Sequence, residues 1–187
     1  MTQLTLYRTP GAPVPHATFD HAEEIASVLT RAGIGYERWE THTVLASDAS
    51  DDDVLHAYRA EIDRLLATRG YASVDVFRIT PDAPHRATAR RKFLSEHTHA
   101  EDEVRFFVEG QAAFYLHLDD LVYKVVCTEG DLISVPAGTR HWFDMGGAPR
   151  FTAIRLFGTP DGWVATFTGD PIASTLPLID DIPIETA

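Results

Sequence analysis

At 187 residues with 44% hydrophobic content, the chain has the length of one ordinary domain and enough apolar side chains for a real core, which excludes wholesale disorder. Sixteen Lys and Arg against 28 Asp and Glu give a formal charge of −12, so there is no basic field to attract phosphates or an anionic lipid surface, and neither nucleic acid nor a membrane is an expected partner. The single cysteine, Cys127, cannot form an intrachain disulfide or a multi-thiolate zinc site and reads as a small buried hydrophobe. The N-terminus shows neither a basic region nor an apolar stretch of about 7–15 residues, and no later segment approaches about 18 consecutive apolar residues. A cytoplasmic location follows as the expectation.

Residues 3–7 alternate as a strand does. Asp20 and Glu23 then open a helical segment in which Ile25, Val28, Leu29 and Ala32 share a face, closed by Gly33. A second helix is signalled by Ser50 as cap with Asp53 three residues on, by Val54, Leu55, Tyr58, Ile62, Leu65 and Leu66 on one stripe, and by Gly70 as the stop. From residue 71 the period changes to two, with Val74, Val76 and Arg78 alternating, followed by short runs near 93–99, 103–109, 112–118, 121–127, 131–135, 141–145, 150–157 and 163–168. Gly110, Asp119-Asp120, Gly130, Pro136-Ala137-Gly138, Gly146-Gly147 and Thr159-Pro160-Asp161-Gly162 punctuate them. Many short strands with frequent turns predict a mainly β fold, a sandwich or barrel. Pro171, Pro177 and Pro183 predict an extended tail. One domain over 1–187 is expected, with the first strand and the helices (1–70) packed on a barrel (71–169) that ends in the tail (170–187).

The segment Glu96-His97-Thr98-His99-Ala100-Glu101-Asp102-Glu103 carries the chemistry. On a strand, His97 and His99 point to the same side about 6.6–6.8 Å apart and can aim at one point. Glu103 would lie roughly 13 Å further along a straight strand, so Ala100-Glu101-Asp102 must turn the chain before Glu103 opens a new strand. The run Gly130 to His141, with its glycine and Pro-x-Gly turns, delivers His141 opposite the first pair. Three imidazoles and a carboxylate suit Fe²⁺, Ni²⁺, Mn²⁺ or Zn²⁺, and a six-coordinate ion would keep two open positions for an oxygen chelate. A His-x-His pair alone is often a chance surface feature. Its combination with Glu103, Gly110 and the turns before His141 makes chance a poor explanation.

If Glu103 faces the interior, Arg105 and Phe107 do too, while Val104, Phe106 and Val108 face outward. An interior arginine needs an anion, either a substrate or a neighbouring acid. Phe143 shares a face with His141. Arg155, among Phe151, Ala153 and Phe157, is a second interior candidate or a structural ion-pair residue. His117 reads as an ordinary half-exposed strand histidine, and His16, His21, His42, His56 and His85 show no ligand spacing. Glu96 and Asp102, near the cluster in sequence, are candidates either for removing a substrate proton or for supporting and turn roles alone. No phosphate loop, nucleophile elbow or Cys-x-x-Cys is present.

These motifs resemble those of the cupin superfamily: His97, His99, Glu103 and Gly110 match its first motif, and Gly130, Pro136, Gly138 and His141 its second. Arg91 stands where the first motif often opens with Gly, and Met145 where the second often ends with Asn. Within the superfamily, the runs 97–110 and 130–146 resemble the bacterial acireductone dioxygenase family. That resemblance implies a single cupin-type β-barrel, a double-stranded β-helix or jelly roll, acting as a monomer in methionine salvage on acireductone and O₂. It implies His97, His99, Glu103 and His141 as ligands to one Fe²⁺ or Ni²⁺. It further implies Arg105, with Arg155, holding the enediolate oxygens, and Phe93 and Phe143 shaping the pocket. A dioxygenase for another enediol or a non-catalytic small-molecule-binding cupin would share the fold, and the intact ligand set with its long matching runs favours the enzyme.

Overall fold

The computed structural model describes residues 1–41, 45–46, 49–159 and 163–181. His42, the turn residues Pro160, Asp161 and Gly162, and Pro183 lie outside them. In chain order the elements are β1 (Gln3–Arg8), β2 (Pro15–Phe19), α1 (Ala22–Arg31), β3 (Gly35–Arg38), α2 (Asp51–Ala57), α3 (Arg59–Arg69) and β4 (Ser73–Ile79). There follow α4 (Arg86–Phe93), β5 (His97–Thr98), β6 (Glu103–Leu118), β7 (Leu121–Thr128), β8 (Asp131–Val135), β9 (Arg140–Asp144), β10 (Phe151–Phe157) and β11 (Thr166–Phe167), then 3₁₀ turns at Pro171–Thr175 and Ile179–Asp181.

All strand pairings are antiparallel, and β6 organises them. Its first half pairs with β10 and β8, which carry β4 and β3 at their outer edges. Its second half belongs to a sheet ordered β11-β5-β9-β6-β7-β1-β2. The mainly β architecture predicted from the turn spacing is present, and the hydrogen-bonded ladder does not close into the ring of the cupin-type barrel that the resemblance implies. Two sheets facing each other share one bent strand.

That bend explains why residues 103–118 form one strand where Gly110 suggested a break. Phe107 and Glu109 pair with successive β10 residues, leaving Val108 as an extra residue, a β-bulge. One extra residue shifts the alternation. Val104, Phe106 and Val108 face outward in the first half, whereas Ala112, Phe114 and Leu116 face inward in the second. Gly110 sits at the corner with φ +75°, and a Cβ there would overlap the Arg150 carbonyl oxygen. Gly110→Ala is therefore expected to cost about 3–5 kcal/mol, combining left-handed strain with a backbone clash. Gly138, at φ +76° with open space where a Cβ would stand, should lose only about 1 kcal/mol as alanine. Urea unfolding of the two variants checks the difference.

Three apolar layers follow from the alternation. Phe107, Phe114, Leu116, Ile133, Phe143 and Phe151 fill the space between the sheets, with Ile25 and Leu29 of α1 joining them. Val54, Tyr58, Ile62 and Leu65 cover the outer face of β6, β8 and β10. Tyr115, Val122 and Trp142 on the other outer face are covered by Ala173, Leu176 and Ile179 of the tail.

The predicted second helix is two, broken at Tyr58 (φ −108°), though the Ser50–Asp53 capping box and the left-handed Gly70 stop are as expected. The first helix starts from His21 rather than Asp20, without a side-chain cap. The run at 93–99 is mostly not strand: α4 ends at Phe93, and β5 keeps only His97 and Thr98. Helix α4 escaped the periodicity because RATARRKF buries no residue and so carries no apolar stripe. The described part of the tail, 170–181, is docked on the sheet, and two 3₁₀ turns interrupt the extended course that its prolines predicted. Lys124 Nζ donates to the Pro177 and Leu178 carbonyls at 2.9 Å, and the Tyr115 hydroxyl donates to Pro177 at 2.7 Å. Burial lowers the Lys124 ammonium to about 8.

Candidate metal centre

His97 on β5 lies directly across from His141 on β9, which puts two imidazoles at one place by strand register alone. His99 arrives from the residue after β5, and Glu103 from the first position of β6, so the chain does turn between them. The turn is built by Asp102, whose carboxylate accepts from Ala137 N at 2.9 Å, and by the Gly138 N–H donating to the His99 carbonyl at 2.9 Å. The Pro-x-Gly loop is thereby pinned to the loop carrying His99, and the strand that follows presents His141.

Each imidazole places Nδ1 against a backbone carbonyl: His97 on Ser95 at 2.7 Å, His99 on Val164 at 3.0 Å and His141 on Thr139 at 2.8 Å. A proton on Nδ1 leaves the Nε2 lone pair free, the arrangement that orients histidines for a metal. One ligand atom from each ring lies within 4.8 Å of the others, and all three residues are buried. Glu103 Oε2 stands 3.4 Å from His99 Nε2 and 3.3 Å from His141 Nε2. His141 Nε2 is buried and makes no well-formed hydrogen bond among the described residues, an unsatisfied acceptor facing the cluster. The four donors fit a divalent ion of borderline softness.

Electrostatics treat the donors unequally. Burial, reinforced by His141, lowers His97 to about 4, keeping it neutral. Burial also opposes charge on His99, but the Glu103 carboxylate outweighs it and raises the imidazole. Glu103 is disfavoured as an anion by burial, yet Arg105, His141 and His99 hold it well below the usual carboxylate range.

Beside the cluster is a cavity of about 290 Å³. Arg105 enters it from β6, as the alternation predicted, with Nη2 donating to Glu103 Oε1 at 2.6 Å. Its Nε and Nη1 are buried without hydrogen-bond partners among the described residues, and its guanidinium lies 4.2 Å from the Phe143 ring centroid. Phe93 meets Phe143 edge-on at 6.2 Å, so both predicted aromatics line the cavity. Arg155 also lines it, but its guanidinium is bound by Asp75 at 2.8 and 2.6 Å and lies between Phe77 and Phe157.

Phe77, Lys92, Phe157, Trp163, Ala165 and Phe167 complete the lining, none of them marked as a site residue by the sequence motifs. Phe157 shares the Arg155 face, and Phe77 lies on the face opposite Val74 and Val76, so both were readable from alternation. Lys92 and Phe167 depend on α4 and β11, which local pattern did not place. His117 is not half-exposed: it is buried with Nδ1 2.7 Å from the Glu96 carboxylate, whose other oxygen accepts from Thr168 at 2.7 Å. The segment after β11 covers this end of β6, and Glu96 ties the elements together behind His97.

Residues 13–165 match the family model described as the ARD/ARD' family. The chain belongs to this family. It is 54% identical over 181 residues to an acireductone dioxygenase of Pseudomonas aeruginosa, covering 97% of this chain and all of that protein. A relative of the same name from Synechococcus is 55% identical, over 96% of this chain and 99% of its own. Among solved structures, an acireductone dioxygenase from Bacillus anthracis with cadmium ion in its active centre superimposes with a TM-score of 0.78 at 28% identity, covering 89% of this chain and 98% of that one. ARD/ARD' family membership thus extends through the region holding every candidate ligand.

Proposed function

We propose that this chain cleaves acireductone, 1,2-dihydroxy-3-keto-5-methylthiopentene, with O₂ in methionine salvage, as a cytoplasmic monomer holding one Fe²⁺ or Ni²⁺. The observation that carries this reading is the convergence of three Nε2 atoms and Glu103 beside two nitrogens of Arg105 that have no hydrogen-bond partner among the described residues. His97, His99, Glu103 and His141 would hold the ion. Bound there, it would supply Lewis acidity toward the oxygens of a chelating substrate.

The protein's own part is positioning and charge. Arg105 already places one nitrogen on Glu103, which fixes the guanidinium beside the cavity, and its remaining nitrogens, buried without hydrogen-bond partners among the described residues, are the donors assigned to an enediolate. Phe93 and Phe143 wall the cavity against water and leave an apolar face for an alkylthio chain. Arg155 contributes its planar face to that wall while Asp75 neutralises it, so the substrate oxygens are assigned first to Arg105. An enediolate is electron-rich and can itself reduce O₂, which is why the cavity needs no nucleophilic Ser or Cys. Cys127 is buried, with its thiol pushed well up by burial, and is no candidate for that role.

The test is anaerobic reconstitution with either ion, followed by acireductone and O₂. The iron form should give formate and 4-methylthio-2-oxobutanoate, and the nickel form formate, CO and 3-methylthiopropionate. Metal uptake without reductone-dependent O₂ consumption under either ion would overturn the reading and favour another substrate or a binding role.

A further inference from the structure

The charge of the molecule and the charge at the mouth of its cavity have opposite signs. Helix α4, RATARRKF, carries four cations and no carboxylate in a chain of net charge −12, and its C-terminal end lies at the cavity. The negative end of the helix dipole favours cations in this last turn. Three of the four have other engagements: Arg90 pairs with Asp144 and Asp180, Arg86 reaches the Ala83 carbonyl, and Arg91 bonds Thr88. Lys92 differs. It lines the cavity, is exposed to solvent, and makes no ion pair among the described residues. Its Nζ lies 5.7 Å from the centroid of the Trp163 ring, which steadies the ammonium by cation–π attraction and leaves its N–H donors free.

The other two cations of the lining are already neutralised, Arg105 by Glu103 and Arg155 by Asp75. Lys92 is thus the uncompensated positive charge an anion meets on approach. A reductone is a vinylogous acid and travels as an anion at neutral pH, so it must cross the repulsive field of the protein to reach Arg105. Resting on the function proposed above, we infer that Lys92 is the capture residue for this anion. It offsets the overall field at the entrance and hands the substrate inward to Arg105, setting the efficiency with which dilute substrate is taken up rather than the rate of the chemical step. Charge at a rim acts mainly on association and its salt dependence.

The experiment is steady-state O₂ uptake by metal-matched wild type, Lys92→Met, Lys92→Glu and Lys92→Arg at ionic strengths of about 20 mM and 500 mM. At low salt, Lys92→Met should lose about 3- to 10-fold in kcat/KM, entirely through KM, and Lys92→Glu about 10- to 100-fold, while Lys92→Arg stays within about twofold. At high salt the Debye length contracts to a few ångströms, and the losses should shrink below about threefold. Methionine preserves the apolar stem against Trp163, so a packing role would leave Lys92→Met at wild-type efficiency and overturn the inference. A loss that falls on kcat, or one unchanged by salt, would overturn it too. A wild type without reductone-dependent O₂ uptake would instead overturn the functional reading, and this inference with it.

Discussion

His141→Ala is expected to lower affinity for a divalent ion more than about a hundredfold and to abolish turnover. Removing groups that only support a ligand already costs 10- to 100-fold in affinity, and removal of a ligand itself should exceed that. No neighbouring group can take its place: the remaining donors, His97 and His99, are fixed by their Ser95 and Val164 carbonyls, and Glu103 is held by Arg105. The fold should survive, because β9 pairs with β6 through backbone groups on both sides of position 141. Metal content after dialysis against one equivalent of ion, read beside a circular dichroism spectrum, gives the answer. His117→Ala makes the comparison, since it removes an equally buried histidine that points away from the cluster toward Glu96. It should keep the metal stoichiometry while losing stability. Equal metal retention in His141→Ala and wild type would show that the ion sits elsewhere.

Arg105→Met should keep the metal and lose about 10²- to 10³-fold in turnover, the effect of removing one preorganised donor from a developing anion. Methionine fills the space against Phe143 and Phe114, so the loss reports charge and hydrogen bonding rather than an empty cavity. Arg105→Lys should recover only part of it, because an ammonium cannot both satisfy Glu103 and present two further donors in one plane. The substitution also removes the cation that does most to hold Glu103 low, and so moves its carboxyl upward. Because Glu103 titrates below its ordinary value, the stability it contributes is present above that value and lost as pH falls through the depressed one. In Arg105→Met that contribution should be smaller and its loss complete at higher pH. Turnover per bound metal and the acid limb of thermal stability measure the two effects, and undiminished turnover would remove Arg105 from the reaction.

Much of this arrangement was legible in the sequence because it is local. His97 and His99 share a strand-like spacing, the acidic turn before Glu103 follows from reach, and alternation from Glu103 brings Arg105 inward. What escaped depends on distant parts of the chain. Nothing around His117 reveals that Glu96 and Thr168 will bury it, since Thr168 is 51 residues away. The continuity of β6 through Gly110 was hidden because glycine at a bulged corner and glycine at a strand end look alike. Helix α4 lacks the stripe that marks a packed helix, so Lys92 could not be placed at the cavity, and the pairing of Arg155 with Asp75 required knowing that β4 lies beside β10.

The unequal lengths of the strands bearing the ligands have a consequence for how the molecule breathes. Glu103 rides on a sixteen-residue strand laddered to four others, whose central amides should be among the slowest of the molecule to exchange with solvent. His97 and His99 ride on or beside a two-residue strand near the sheet edge, where β11 contributes two residues more. Half of the ligand set therefore belongs to the most cooperative part of the protein and half to a margin that opens by local fluctuation. An ion spanning both would staple the margin to the centre and make the edge share the stability of the core.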